Sequence, residues 1–230
     1  MKPKNIAFIT IASLSLAVPI ALAQRPTNSP ANQPMHHGGM MHHGGMMHHG
    51  GMMQEMQVSS EFEYLTKMIP HHQEAIDTAR LVLAGSDRPE MKRFAEDIIR
   101  VQTAEIEQMR QWLREWYPGQ NTEVTSTPMM RDLNSLRGDE LDQAFLEDMI
   151  MHHMGAVMMS QMLLNRNLVQ HESVRPFAQQ IATSQRQEIR QMQAWLRSWF
   201  GVTDGGINEI PRAAVDSETL PDVKDFISVS

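Results

Sequence analysis

Residues His36 to Met53 read HHGGMM three times without interruption. Each unit joins imidazole to thioether: His36, His37, Met40 and Met41; then His42, His43, Met46 and Met47; then His48, His49, Met52 and Met53. Thioether sulfur is a neutral, polarisable donor that selects Cu(I) and Ag(I) over hard ions, whereas imidazole accepts Cu(I), Cu(II), Zn and Ni. The Gly pairs lift the steric restriction on φ, so neighbouring His and Met can turn toward one ion without imposing a fold. The tract reads as a flexible multidentate chelator. A solubilising low-complexity linker is the competing reading, but a plain linker needs Gly and Ser rather than regularly paired Met.

A second donor set lies within helical periodicity. Met68, His71 and His72 recur as Met149, His152 and His153, 81 residues on. At about 100° per residue, His72 falls in an apolar stripe with Leu65, Met68, Ile76, Ala79 and Leu83, and His153 in one with Leu146, Met149, Val157 and Leu164. His71 lies on the flank of its stripe, and His152 beside the core near Met159. The spacing lets each Met reach either following His at i+3 or i+4.

Glu105 and Gln102 interrupt the apolar face of Phe94, Ile98, Met109, Trp112 and Trp116, and Glu188 and Gln185 take the matching places later. A buried carboxylate without a partner is costly. Glu105 and Glu188 are therefore expected to pair with His72 and His153, fixing each tautomer and orienting each ring toward a metal. A ligand-free polar network that sets helix register is the alternative for those two histidines. His71 and His152, expected closer to solvent and to Met, are the better ligand candidates.

Met151, Met154, Met158 and Met162 form a further stripe opposite His153. Such a stripe is usually core, but this helix already has a core face. The stripe either binds Cu(I) through several thioethers, the reading favoured by ligand softness, or is covered by the C-terminal tail or another subunit. His171 stands alone in its loop and reads as solvated. Trp112 with Trp116, and Trp195 with Trp199, read as caps on the core at matched helix ends.

The elements that position these residues are duplicated. Phe94-Ala95 through Trp112-Leu113-Arg114 and Trp116 aligns with Phe177-Ala178 through Trp195-Leu196-Arg197 and Trp199 at an offset of 83, so the second interhelix loop holds two extra residues. The periodicity predicts helices over Ser59–Leu83, Pro89–Trp116, Asp139–Leu164 and Ser173–Trp199. Pro70 removes a backbone donor and predicts a kink or a late start near Ile69. One hairpin cannot bury its own apolar face; two packed together make an all-α four-helix bundle. Repeat 1 covers 59–117 and repeat 2 covers 139–200, joined by a nonhelical crossover containing Pro118, Gly119 and Pro128. The bundle, 59–200, is large enough to bury a core as one domain.

Upstream, 24–58 is expected to be a disordered His/Met-rich segment, and 201–230 a tail with no clear period. Lys2, Lys4, the apolar run Ile6 to Leu22 and Ala21-Leu22-Ala23 form a secretory signal peptide over 1–23, cleaved after Ala23. An uncleaved anchor is the alternative. No later stretch is apolar enough to span a membrane, so no stable span is expected after processing. Of 20 basic residues, removing Lys2 and Lys4 leaves 18 against 27 acidic ones, a formal charge of −9 that makes nucleic acid an improbable partner. The chain has no cysteine, so neither disulfides nor thiolate sites are available.

The doubled Met-Ile-x-His-His helix, each copy followed by Glu-Ile-x-Gln-Met-x-x-Trp-Leu, resembles the bacterial domain-of-unknown-function family DUF305. With the exported N-terminus and His/Met-rich segment, the chain is similar to periplasmic copper-binding resistance proteins of cyanobacteria. The resemblance covers about Ser59 to Phe200. It implies a ferritin-like bundle, copper binding with a preference for Cu(I), and a role in limiting free copper outside the cytoplasm. The motif falls on Met68, His71 and His72, and on Met149, His152 and His153. The HHGGMM segment and the third-helix methionines depart from it and would add capacity.

The expected function is thus a non-enzymatic periplasmic or secreted protein that sequesters copper and serves copper resistance and homeostasis. Ag(I) or Zn would bind in vitro, and a periplasmic copper efflux component is a candidate partner. The alternatives are a ferritin-like metal oxidase, disfavoured because no bundle His follows a Glu at the three-residue spacing, and a copper-responsive interaction or transfer protein docking through its methionines.

Overall fold

The computed structural model describes residues 56–202, and these form four helices: α1 (Glu61–Gly85), α2 (Pro89–Trp116), α3 (Gly138–Asn165) and α4 (Val174–Phe200). The expected signal peptide, the three HHGGMM units and the tail beyond Val202 lie outside the described residues. Helix ends agree with the periodicity to within two residues. Local chemistry explains them. Ser60 caps α1 by accepting from the Glu63 N–H at 3.1 Å, while Glu63 reaches back to the Ser59 N–H at 2.8 Å and its hydroxyl at 2.6 Å, a variant of the capping box. Pro89 opens α2, where its missing N–H has no intrahelical partner to lose. Gly201 ends α4 at φ 67°, a conformation suited to glycine.

The expected late start at Pro70 is not adopted: α1 runs unbroken from Glu61. An interior Pro costs about 3 kcal/mol; the Ser60 cap and full burial of Tyr64, Leu65 and Met68 upstream offset it.

α1 packs on α2, α3 on α4, and α1 on α3. The α1–α3 seam joins the two hairpins, and these helices run in opposite directions, since the loop after each lies at the start of the other. Both loops are tied down in the same way. Glu61, fully buried at the start of α1, accepts from the backbone of Gln170 (2.6 Å) and His171 (2.9 Å), from His171 Nδ1 (2.6 Å) and from the Tyr117 hydroxyl (3.1 Å). The His171 ring stacks on Trp116, 3.9 Å between centroids and 5° from parallel. At the opposite end, fully buried Asp142 of α3 accepts from Arg88 (3.2 Å), which also pairs with Asp139 and lies over the rings of Trp199 (5.0 Å) and Phe200 (5.2 Å). The two arrangements are repeats of one another: Glu61 matches Asp142, His171 matches Arg88, and Trp116-Tyr117 matches Trp199-Phe200. His171 is therefore not a free solvated loop residue; the buried Glu61 carboxylate draws it in.

The core is divided in two. One apolar cluster holds Phe145, Leu146, Met149 and Met91, the other Tyr64, Leu65, Met68, Met109 and Leu163. A polar layer of the paired histidines, Glu105, Glu188, Gln102 and Gln185 separates them. The third-helix stripe is not an open face: Met154, Met158 and Met162 are only 6%, 8% and 4% exposed, and Met151 alone reaches 37%. Met154 packs in a cluster with Met130 and Leu133 of the crossover, and Met158 and Met162 in one with Met56 and Val58 ahead of α1. Nonhelical segments on either side of the first hairpin cover the stripe.

Candidate metal centre

The duplicated Met-Ile-x-His-His motif meets itself at the middle of the α1–α3 seam. His71 and His152 lie ring to ring, 3.7 Å between centroids and tilted by 33°. His72 is 6.1 Å from His71, and His153 is 6.2 Å from His152, giving a row of four imidazoles. Each end of the row meets a carboxylate from the outer helix of its hairpin. His72 Nε2 lies 2.9 Å from Glu105 Oε2, and His153 Nε2 lies 2.6 Å from Glu188 Oε2. These are the cross-helix pairs expected from an acid placed inside an apolar stripe. A carboxylate accepts, so Nε2 carries the proton of each bond; in a neutral ring that leaves Nδ1 as a lone pair.

Those lone pairs have no partner. Nδ1 of His72 and His153, and both ring nitrogens of His71 and His152, are buried without a well-formed hydrogen bond. His152 Nε2 approaches Glu74 Oε2 only to 3.4 Å. Leaving a buried donor or acceptor unsatisfied costs about 1–3 kcal/mol each, and such a concentration of orphan nitrogens in one layer is what a site for a bound ion requires. His71 and His152 are more enclosed than their flanking helical position suggested, at 7% and 1% exposure, because the crossover and the residues ahead of α1 close over the seam. Burial, reinforced by the neighbouring imidazoles of His152, His72 and His153, pushes His71 well below the usual 6.5. Burial also lowers His152, against the opposing pull of Glu74. Neutral rings with available lone pairs are the protonation state that metal binding needs.

Glu74 organises the solvent side. Its Oε1 accepts from the backbone N–H groups of Met129 (2.7 Å) and Met130 (2.9 Å), holding the crossover against α1. Burial works to raise this carboxyl, but His152 and the two amides outweigh it and hold it below 4.5. Beside it opens a cleft of about 390 Å³ whose walls include His71, Glu74, Lys67, Met56, Met129 and Met159. Three of the lining residues meet at Gly155, where a Cβ would stand 3.1 Å from His71 Nε2 and 3.3 Å from the methyl carbons of both Met129 and Met56.

Of the donor residues expected from sequence, the structure gathers His71, His72, His152 and His153 in one layer and puts Met159 beside it on the cleft. Met68 and Met149 are fully buried in the apolar clusters on either side of the layer, Met154 and Met158 pack under the nonhelical segments, and Met151 points to the surface. His36 through Met53 lie outside the described residues. Met56, Met129 and Glu74 were not anticipated. Signals existed: Met129-Met130 is a methionine pair within the crossover, and Glu74 stands three residues after His71. Among the described residues, no group of three or more His, Asp or Glu side chains is arranged to hold an ion. Met56, Met129 and Met159, on the cleft beside His71, are the soft donors that neighbour the histidine layer.

The family model described as "Domain of unknown function (DUF305)" matches residues 61–196. The chain belongs to the DUF305 family. No curated protein sequence matches it, but solved structures do. CopM in its Cu(I)-bound form is 32% identical, with a TM-score of 0.56 over 63% of this chain and 100% of that one. CopM has also been solved with Cu(II), at 30% identity and a TM-score of 0.54 over 62% of this chain and 99% of CopM. A DUF305 fragment from Deinococcus radiodurans is 30% identical, with a TM-score of 0.54 over 60% of this chain and 96% of the fragment. A DUF305 protein from Streptomyces coelicolor, described as secreted, is 27% identical, with a TM-score of 0.52 over 58% of this chain and 88% of that one. This DUF305 chain is thus an all-α four-helix bundle resembling CopM. No helix among its described residues is long and apolar enough to cross a membrane.

Proposed function

We propose that this DUF305 protein binds copper outside the cytoplasm, with a preference for Cu(I), and sequesters it without catalysis in the service of copper resistance. The observation that carries this reading is the buried layer in which His71 and His152 stack with unpartnered ring nitrogens beside a methionine-lined cleft. Imidazole and thioether together suit Cu(I) and Ag(I), and carboxylate-backed rings such as His72 and His153 match the way metal-ligating histidines are oriented by an acid behind them. Copper- and silver-bound forms of CopM at 30–32% identity support the same chemistry. The Lys2–Ala23 leader pattern, and a secreted description for a relative, support export.

Cu(I) titration of the mature chain against a competing Cu(I) chelator tests the reading. Two forms are compared: the native sequence, and one in which every His and Met of the HHGGMM units is Ser. Cu(I) retained by the second form belongs to the bundle, and the difference belongs to the HHGGMM segment. No uptake by either form would end the proposal.

A further inference from the structure

The geometry points to a monovalent soft-metal site formed by His71 Nε2, Met56 and Met129 around the bare Cα of Gly155, a ligand set that deepens the copper reading and rests on it. Three observations converge. His71 Nε2 is buried and has no hydrogen-bond partner, and it faces the spot where a residue other than glycine would carry its Cβ. The methyl carbons of Met56 and Met129 border that same spot at 3.3 Å each, one bond from their sulfurs. These groups come from three separate stretches of chain: the segment before α1, α1 itself and the crossover. Apolar packing alone does not call for a ring nitrogen without a partner between two thioethers.

The repeat sharpens the assignment. Gly155 occupies in repeat 2 the position that Glu74 occupies in repeat 1. In one copy the position carries an acid that pins Met129 and Met130 through their amides; in the other it carries no side chain and leaves the space. The two differences act on the same point, since one delivers Met129 and the other makes room beside His71. The cleft, lined by His71, Met56 and Met129 among others, gives these donors access from solvent. Glu74 Oε1 is engaged by the crossover amides and its Oε2 lies toward His152 Nε2 at 3.4 Å, so the donors that meet at Gly155 are neutral nitrogen and sulfur. Cu(I) and Ag(I) are the ions that such donors select.

The test uses the full mature chain labelled with 13C in the methionine methyl groups and titrated with Ag(I), a redox-silent stand-in for Cu(I). The Met56 and Met129 methyl resonances, assigned from single Met→Leu variants, should shift together with the His71 ring nitrogen. The double variant Met56→Leu/Met129→Leu, which keeps apolar bulk, should bind one Ag(I) fewer than the native chain. Gly155→Ala should weaken that one equivalent at least tenfold while the thermal transition of the metal-free protein persists. If Ag(I) binds but the Met56 and Met129 methyls stay put, or the double variant keeps the native stoichiometry, this ligand set is wrong and the copper reading stands elsewhere in the chain. If the native chain takes up neither Ag(I) nor Cu(I), both fail.

Discussion

His71 is held uncharged by its surroundings, and that has a measurable consequence without any metal. Burial and the adjacent imidazoles keep its folded-state value well below 6.5, and burial lowers His152 as well. The unfolded chain therefore takes up protons first as pH falls, so unfolding gains on folding once pH drops through 6.5. Above that value this contribution to stability is complete. The thermal midpoint of the metal-free protein should be flat above about pH 7 and decline from pH 6.5 toward 5. In His71→Gln the decline should be shallower; an equally steep decline would show that other groups govern it. His72 and His153 were legible in the sequence as core residues paired with Glu105 and Glu188, because a carboxylate inside an apolar stripe has few places to go. The contact between His71 and His152 was not legible, since periodicity places a residue on a face of its own helix and says nothing about which residue of another helix will oppose it.

At the level of elements, nonhelical chain decides what the helices can do. Glu74 holds the crossover by two charge-assisted bonds to the Met129 and Met130 amides. Replacing it with Ala should cost about 1.5–3 kcal/mol in urea unfolding and raise hydrogen exchange at those two amides ahead of any in α3. Unchanged exchange there would mean that Met130 and Leu133 anchor the crossover by packing alone. The burial of the third-helix methionine stripe was not legible for the same reason: a helical wheel shows a second apolar face but not the aperiodic segment that lies over it. Met151→Leu, at the one exposed position of that stripe, should change stability by less than about 0.5 kcal/mol. The interhelix loops follow a different logic. His171→Ala removes a ring that both bonds buried Glu61 and stacks on Trp116, so it should cost about 1–3 kcal/mol, well above a typical loop substitution. The offset of 83 that maps Arg88 onto His171 was the available clue that this loop residue is structural.

For the whole molecule, the all-α bundle and its four helix boundaries were readable because duplication repeats every apolar period twice. The candidate centre was readable only in its helical half. A soft ion held by Met56, His71 and Met129 would join the segment before α1, α1 and the crossover in the folded state alone, so it should stabilise the fold by mass action, about 2.7 kcal/mol at a free concentration one hundred times Kd. Scanning calorimetry with and without Ag(I) reads this as a rise in the unfolding temperature that a strong chelator reverses. The stacked pair at the seam carries one more consequence. His71 opposes His152, its own counterpart, which is the self-complementary meeting that an isologous dimer of single hairpins makes on its twofold axis. In such a dimer both copies of every position must be the same residue, so an acid that pins and a glycine that opens cannot coexist across the axis. Joining the hairpins in one chain lifts that constraint, and the Glu74/Gly155 pair is an asymmetry that a homodimer of single hairpins could not hold.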